Sequence, residues 1–174
     1  MSHSYEDAIP KPGYAEPYAT LLTTLERQTA GWRQQLGEPS IDELVWQPYP
    51  NGHSIGALLL HLAEVETYWI ESVCSGRALT AEDRQTYLSD HMDPFTGQWP
   101  APPREPFAYY SALLDAVRAR TLESVKAFGD PREVKQADWG AMTVRYVLTH
   151  VIWHESYHGG QAVLLKSLRA GLNP

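Results

Sequence analysis

Between Glu16 and Leu36 the apolar residues Leu21, Leu25, Trp32 and Leu36 return to one face of a helix, which Gly37 and Pro39 end. A stronger stripe follows in Ile55, Leu58, Leu62, Val65, Trp69 and Val73, with Ser54 placed to cap it and Gly76 to close it. A third helix is predicted from about Phe107 to Phe128 on Tyr110, Leu113, Leu114, Val117, Leu122 and Val125, before Gly129-Asp130-Pro131. The fourth begins at Thr143 and reaches about Ala170, with Gly171 after it. No segment alternates convincingly enough to be read as a strand.

Four amphipathic stripes are buried together most simply in an all-α four-helix bundle. Residues 77–106 join the second and third helices. They include "LTAEDRQTYLS", a short helix started by Thr80, and "DHMDPFTGQWPAPPREP", whose five prolines forbid its continuation. A connection of that length predicts a crossover that leaves the second and third helices parallel and the second and fourth antiparallel. The chain reads as one domain over residues 1–174, with residues 1–15 a flexible N-terminal segment.

Charge and composition remove several functions. The formal net charge is −7 and no Lys/Arg cluster occurs, which argues against a nucleic-acid partner. No stretch approaches the ~20 apolar residues that span a bilayer, and the first residues lack a basic segment followed by an apolar one, so a cytoplasmic protein is expected. Cys74 is the lone cysteine and reads as a small apolar side chain late in the second helix.

The chemistry lies in the histidines. On the fourth helix Val147, Val151, His154, His158 and Leu165 fall within about 40° of one direction at ~100° per residue, the direction of the buried stripe. Two imidazoles inside an apolar stripe are costly unless their nitrogens are satisfied, and one shared metal ion satisfies both. His150, His154 and His158 cannot all reach one ion from a straight helix, because the outer two are ~12 Å apart in rise. The stripe selects His154 and His158 and leaves His150 as a flanking group or the alternative ligand.

"HESYH" has the spacing of a zinc peptidase motif, yet Leu164 stands where a further histidine ligand would come and no His, Asp or Glu follows His158. A third ligand must then come from upstream, and the candidate is His61, about 80° off the centre of the second stripe. His3 and His53 read as solvated, and His91 as part of the long connection. Glu64 and Glu155 read as solvated or as partners of the ligands. Trp69, Trp99, Trp153 and Tyr157 read as core, and Gln161 as a neighbour of the histidines.

"WQPYPNGHSIGALLLHLAEVETYW" and "MTVRYVLTHVIWHESYHGGQ" together resemble the second and fourth helices of the DinB-like family of metalloproteins. The resemblance implies an up-down-down-up bundle, often a homodimer, holding one divalent metal, commonly zinc or nickel, on three histidines; matched by position these are His61, His154 and His158. Relatives with assigned reactions include transferases and isomerases that use low-molecular-weight thiols such as glutathione, mycothiol or bacillithiol. The expectation is therefore a metal-dependent thiol transferase or small-molecule hydrolase. The alternative is a non-catalytic metal-dependent stress or metabolite-binding protein. A cationic patch for a thiol's carboxylates is not visible, with Arg77, Arg84 and Arg104 the nearest contributors.

Overall fold

Each long helix begins where the chain supplies a cap or a proline. Helix α1 (Tyr18–Leu36) follows Pro17, and Gly37 at φ 60° ends it. Helix α2 (Ile41–Val45) opens on a reciprocal capping box between Ser40 and Glu43, an S-x-x-E signal that the apolar pattern had passed over. The Ser54 side chain accepts the Ala57 N–H at the start of α3 (Ile55–Thr67), and Thr80 forms a capping box with Asp83 at the start of α4 (Ala81–Tyr87). Helix α5 (Phe107–Lys126) follows Pro106, and Thr143 caps α6 (Val144–Gly171). The computed structural model describes residues 7–93 and 95–172; His3 lies outside the described residues.

Two features depart from the sequence reading. Helix α3 runs on as a π-helical stretch, Tyr68–Cys74, whose wider turn brings Trp69, Ile70 and Glu71 all into the interior. A two-stranded antiparallel hairpin, β1 (Val134–Ala137) and β2 (Gly140–Thr143), precedes α6, in register from Val134↔Thr143 to Ala137↔Gly140. Its arms of four residues are too short to carry a readable alternation, and its two-residue tip is Asp138-Trp139.

Helix α6 packs along α1, and α3 packs against both α5 and α6. The apolar interior divides into two layers. Tyr18, Leu22, Trp69, Val125 and Val147 belong to one, and Trp32, Leu58, Tyr110, Leu114 and Leu165 to the other. Between them in sequence, on all four long helices, stand polar residues: Thr29, Glu66, Arg118 and Glu155. These four join through side-chain hydrogen bonds and ion pairs into a polar belt between the layers.

Helices α1 and α6 are tightly apposed at Gly159. A Cβ there would meet Trp32 Cγ at 2.4 Å and Cδ1 at 2.5 Å, while one on Gly160 would meet nothing within 4 Å. The same indole donates from Nε1 to Glu155 Oε1 at 3.0 Å, so it cannot retreat without losing that bond. Gly159→Ala is therefore expected to cost about 1–3 kcal/mol by overpacking. Gly160→Ala should be neutral or stabilising by up to about 1 kcal/mol through helix propensity. Thermal unfolding of the two variants side by side checks this, and equal midpoints would show that the helices are not so tightly apposed.

Candidate metal centre

His61 projects from the second turn of α3, and His154 and His158 project from successive turns of α6. All three are buried, and one ring nitrogen from each lies within 4.8 Å of the others. His154 Nε2 and His61 Nε2 are 3.1 Å apart. Two nitrogens so close share either a proton or a cation. For comparison, ligand atoms on a tetrahedral ion with ~2.1 Å bonds are about 3.4 Å apart.

The outer nitrogens set the tautomers. His158 Nδ1 donates to Gln161 Oε1 at 2.7 Å, which leaves the Nε2 lone pair free. His61 Nδ1 is buried without a hydrogen bond, and Glu64 Oε2 lies 3.5 Å from it, where a slight adjustment would make the same kind of support. Burial pushes the His154 imidazolium down to about 2 and that of His158 to about 4, with neighbouring histidines adding to each shift. Both rings are thus neutral near pH 7, the form that binds a metal. Three imidazoles that bring one nitrogen each to a common point fit a divalent ion of intermediate softness.

The three histidines form one wall of an open cavity of about 410 Å3. Trp99 stands edge-on to His61, with ring centres 5.2 Å apart at 84°. Trp69 and Trp99 are core residues, as their spacing indicated, but both also line the cavity. Trp153 and Tyr157 are not core; they are 58% and 51% exposed and stack on each other at 5.5 Å and 13° along its rim.

The remaining candidates sort differently from the sequence reading. His53 is not simply solvated, since its ring lies 4.2 Å from that of Trp99 and lines the cavity. His150 borders the cavity without joining the cluster, its ring 6.0 Å from that of His154. His91 is exposed and outside the cavity lining. Glu155 is neither solvated nor beside the metal ligands' nitrogens: it is buried against α1, accepting hydrogen bonds from Thr29 Oγ1 at 2.7 Å and from Trp32. Arg77 bonds to Glu71 and Asp83, Arg84 faces Asp90 and Arg104 bonds to Asp42, and none of the three lines the cavity. Cys74 is buried, and burial pushes its thiol up to about 12.

Sequence reasoning missed Phe95 and Trp139, which also line the cavity. Phe95 sits in the proline-rich connection and Trp139 on the hairpin tip, where no periodicity announces a side chain's direction.

Comparison with known proteins adds three findings. Residues 20–171 match the family model described as mycothiol-S-transferase. No curated protein matches the chain. Among solved structures, a conserved protein from Enterococcus faecalis aligns with a TM-score of 0.69 over 90% of this chain and 99% of its own; at 20% identity the likeness is one of fold.

Proposed function

The chain belongs to the mycothiol-S-transferase family, a DinB-like family, and on that premise we propose that it is a metal-dependent thiol S-transferase whose divalent ion is held by His61, His154 and His158. The observation that carries this reading is the convergence of three buried histidine nitrogens on an open cavity. A structural metal site is normally closed by four protein ligands, whereas three leave room for a reactant. A divalent ion there supplies the Lewis acidity that lowers the pKa of a thiol or water.

The chain's own residues have three tasks. His61, His154 and His158 hold the ion, Gln161 fixes the ring of His158 through its outer nitrogen, and Glu64 stands 3.5 Å from that of His61, placed to do the same after a slight adjustment. The walls of Trp69 and Trp99 exclude water from one side of the cluster. No cysteine lines the cavity, so the sulfur nucleophile is brought by a small thiol, for which the family name indicates mycothiol.

The wider reading is a cytoplasmic homodimer whose protomer is an up-down-down-up four-helix bundle. Contacts that ascend together along α1 and α6 support that course, Thr29 meeting Glu155 and Lys166 meeting Leu36. So do the pairs of Arg118 with Glu66 and Arg120 with Glu71 between α5 and the chain of α3 and its π-helical extension. His61 beside His154 and Trp69 beside His150 support an opposed course for α3 and α6.

A non-catalytic metabolite-binding protein is the second reading, favoured by the absence of any Asp, Glu or Lys from the described cavity lining. Chelated protein is expected to take up one equivalent of zinc or nickel and then to consume mycothiol with an electrophile. Light scattering on the same sample should give twice the chain mass. Uptake of two equivalents or none defeats the metal assignment, tight uptake without turnover favours the second reading, and a chain-sized mass removes the dimer.

A further inference from the structure

His150 has no part in the metal reading, yet its ring is wedged between Trp69, at 5.0 Å and 62°, and Trp153, at 5.7 Å and 39°. It forms the sill between the metal-side cavity and a second hollow of about 570 Å3, bounded by Trp139, Tyr146, Thr149, His150 and Trp153. Trp139, His150 and Trp153 border both hollows, so the two adjoin. Tyr146, His150 and Trp153 stand at i, i+4 and i+7, on one outward face of α6. Tyr146 precedes His154 by eight residues, which places the far end of the hollow roughly 12 Å from the metal ligands.

The fourth wall is brought by the hairpin. Its tip lays Trp139 across Trp69, with ring centres 5.9 Å apart at 75°. Trp139, Tyr146 and Trp153 are 61%, 53% and 58% exposed, an unusual outlay of large aromatic surface next to a reactive centre. No Asp, Glu, Lys or Arg lines either hollow among the described residues. The adjoining hollow on the other side of His61 is bordered by two carboxylates, Glu64 and Asp138.

The geometry points to a distal subsite for the electrophilic acceptor: an uncharged molecule with a flat ring system lies on Trp139, Tyr146 and Trp153 while its reactive carbon reaches the three histidines. This rests on the transferase reading for the ligand's role as acceptor. A flat ring suits these walls because it covers aromatic faces in offset or edge-on contact and frees the water above them. In the distal hollow a carboxylate is selected against, since it would lose hydration there with no cationic side chain to receive it.

The test uses one reactive ring with three substituents: 4-chloro-3,5-dinitrobenzoate, its methyl ester and its 2-naphthylmethyl ester. In the transfer, the thiolate sulfur bonds to the carbon bearing chlorine. The C–Cl bond then breaks, chloride leaves with the electron pair, and the thiol proton passes to solvent. Binding is read separately, by equilibrium dialysis of the unreactive dechloro compounds against the metal-loaded full chain.

The naphthylmethyl ester is expected to bind at least tenfold more tightly than the methyl ester, and the carboxylate most weakly. Tyr146→Ala and Trp139→Ala, both exposed positions, should each cut the advantage of the long ester to threefold or less while metal content is retained. Equal affinities for the two esters, or a carboxylate that binds most tightly and is weakened by Tyr146→Ala, overturns the subsite. Unchanged affinity in both variants overturns it too, and a simultaneous fall in mass from dimer to monomer would give the groove to a second copy. Failure to consume mycothiol with the methyl ester, with the dialysis result intact, removes the transferase reading and leaves the subsite standing.

Discussion

His61→Ala, His154→Ala and His158→Ala should each reduce the metal content of replete protein from one equivalent to nearly none. Each change removes one of the three nitrogens that lie within 4.8 Å of one another. The loss should exceed the roughly 10–100-fold in affinity that follows removal of an outer hydrogen-bond partner. That smaller range is the expectation for Gln161→Ala, which frees His158 Nδ1. His150→Ala and His53→Ala should keep the metal, because both rings border the cavity outside the cluster. Glu155→Gln should also keep it, since that carboxylate is turned toward Thr29 and Trp32. Competition with a chromophoric chelator measures all seven. If His150→Ala loses the metal and His158→Ala keeps it, the chosen pair on α6 is wrong.

The largest effect on stability is expected from Arg118→Ala. Arg118 donates from Nε and Nη2 to the two oxygens of Glu66 at 2.8 and 2.9 Å, and from Nη1 to Thr29 Oγ1 at 3.0 Å. Its Nη2 also lies 3.6 Å from Glu155 Oε2. Both carboxylates are buried, at 3% side-chain exposure each, and share this guanidinium. Burial raises the pKa of Glu155, and the Glu66 carboxylate raises it further, against the pull of Arg118. Removing the cation leaves two buried acids without their counter-charge, a situation that typically costs about 3–5 kcal/mol. In a chain of this length that lowers the thermal midpoint by roughly 6–20 °C. Adding Glu66→Gln to Arg118→Met should recover part of the loss, because one of the stranded charges goes with it. Denaturant unfolding is the measurement, and a loss below about 1 kcal/mol for Arg118→Ala would mean that water reaches the belt and screens it.

The parts of this molecule that could be read in advance are those governed by local rules. The stripes on α1, α3, α5 and α6, and the caps at Ser54, Thr80 and Thr143, follow from periodicity and side-chain hydrogen bonding within a turn. His154 and His158 stood out because two imidazoles in an apolar stripe need an explanation. His61 was harder, since its place off the stripe gains meaning only when α3 meets α6. The hairpin gave no signal because its eight strand residues are all exposed or half-buried and each arm is only four residues long. The belt of Thr29, Glu66, Arg118 and Glu155 could not be seen either. Each member looks like an ordinary polar residue on its own helix, and only the meeting of four helices makes them one network.

The hairpin divides the protein's labour in a way that matters for divergence. Its rungs pair only with each other, and it is tied down by the Val144 N–H to Glu133 at 3.0 Å and the Arg145 N–H to Pro131 at 3.1 Å. Neither tie involves a residue that touches the histidine cluster. The two residues at its tip can therefore be exchanged between lineages with the register of α6, and so the metal chemistry, left intact. Two chains can carry the same three histidines and serve different ligands, and the hairpin tip is where their difference would be written.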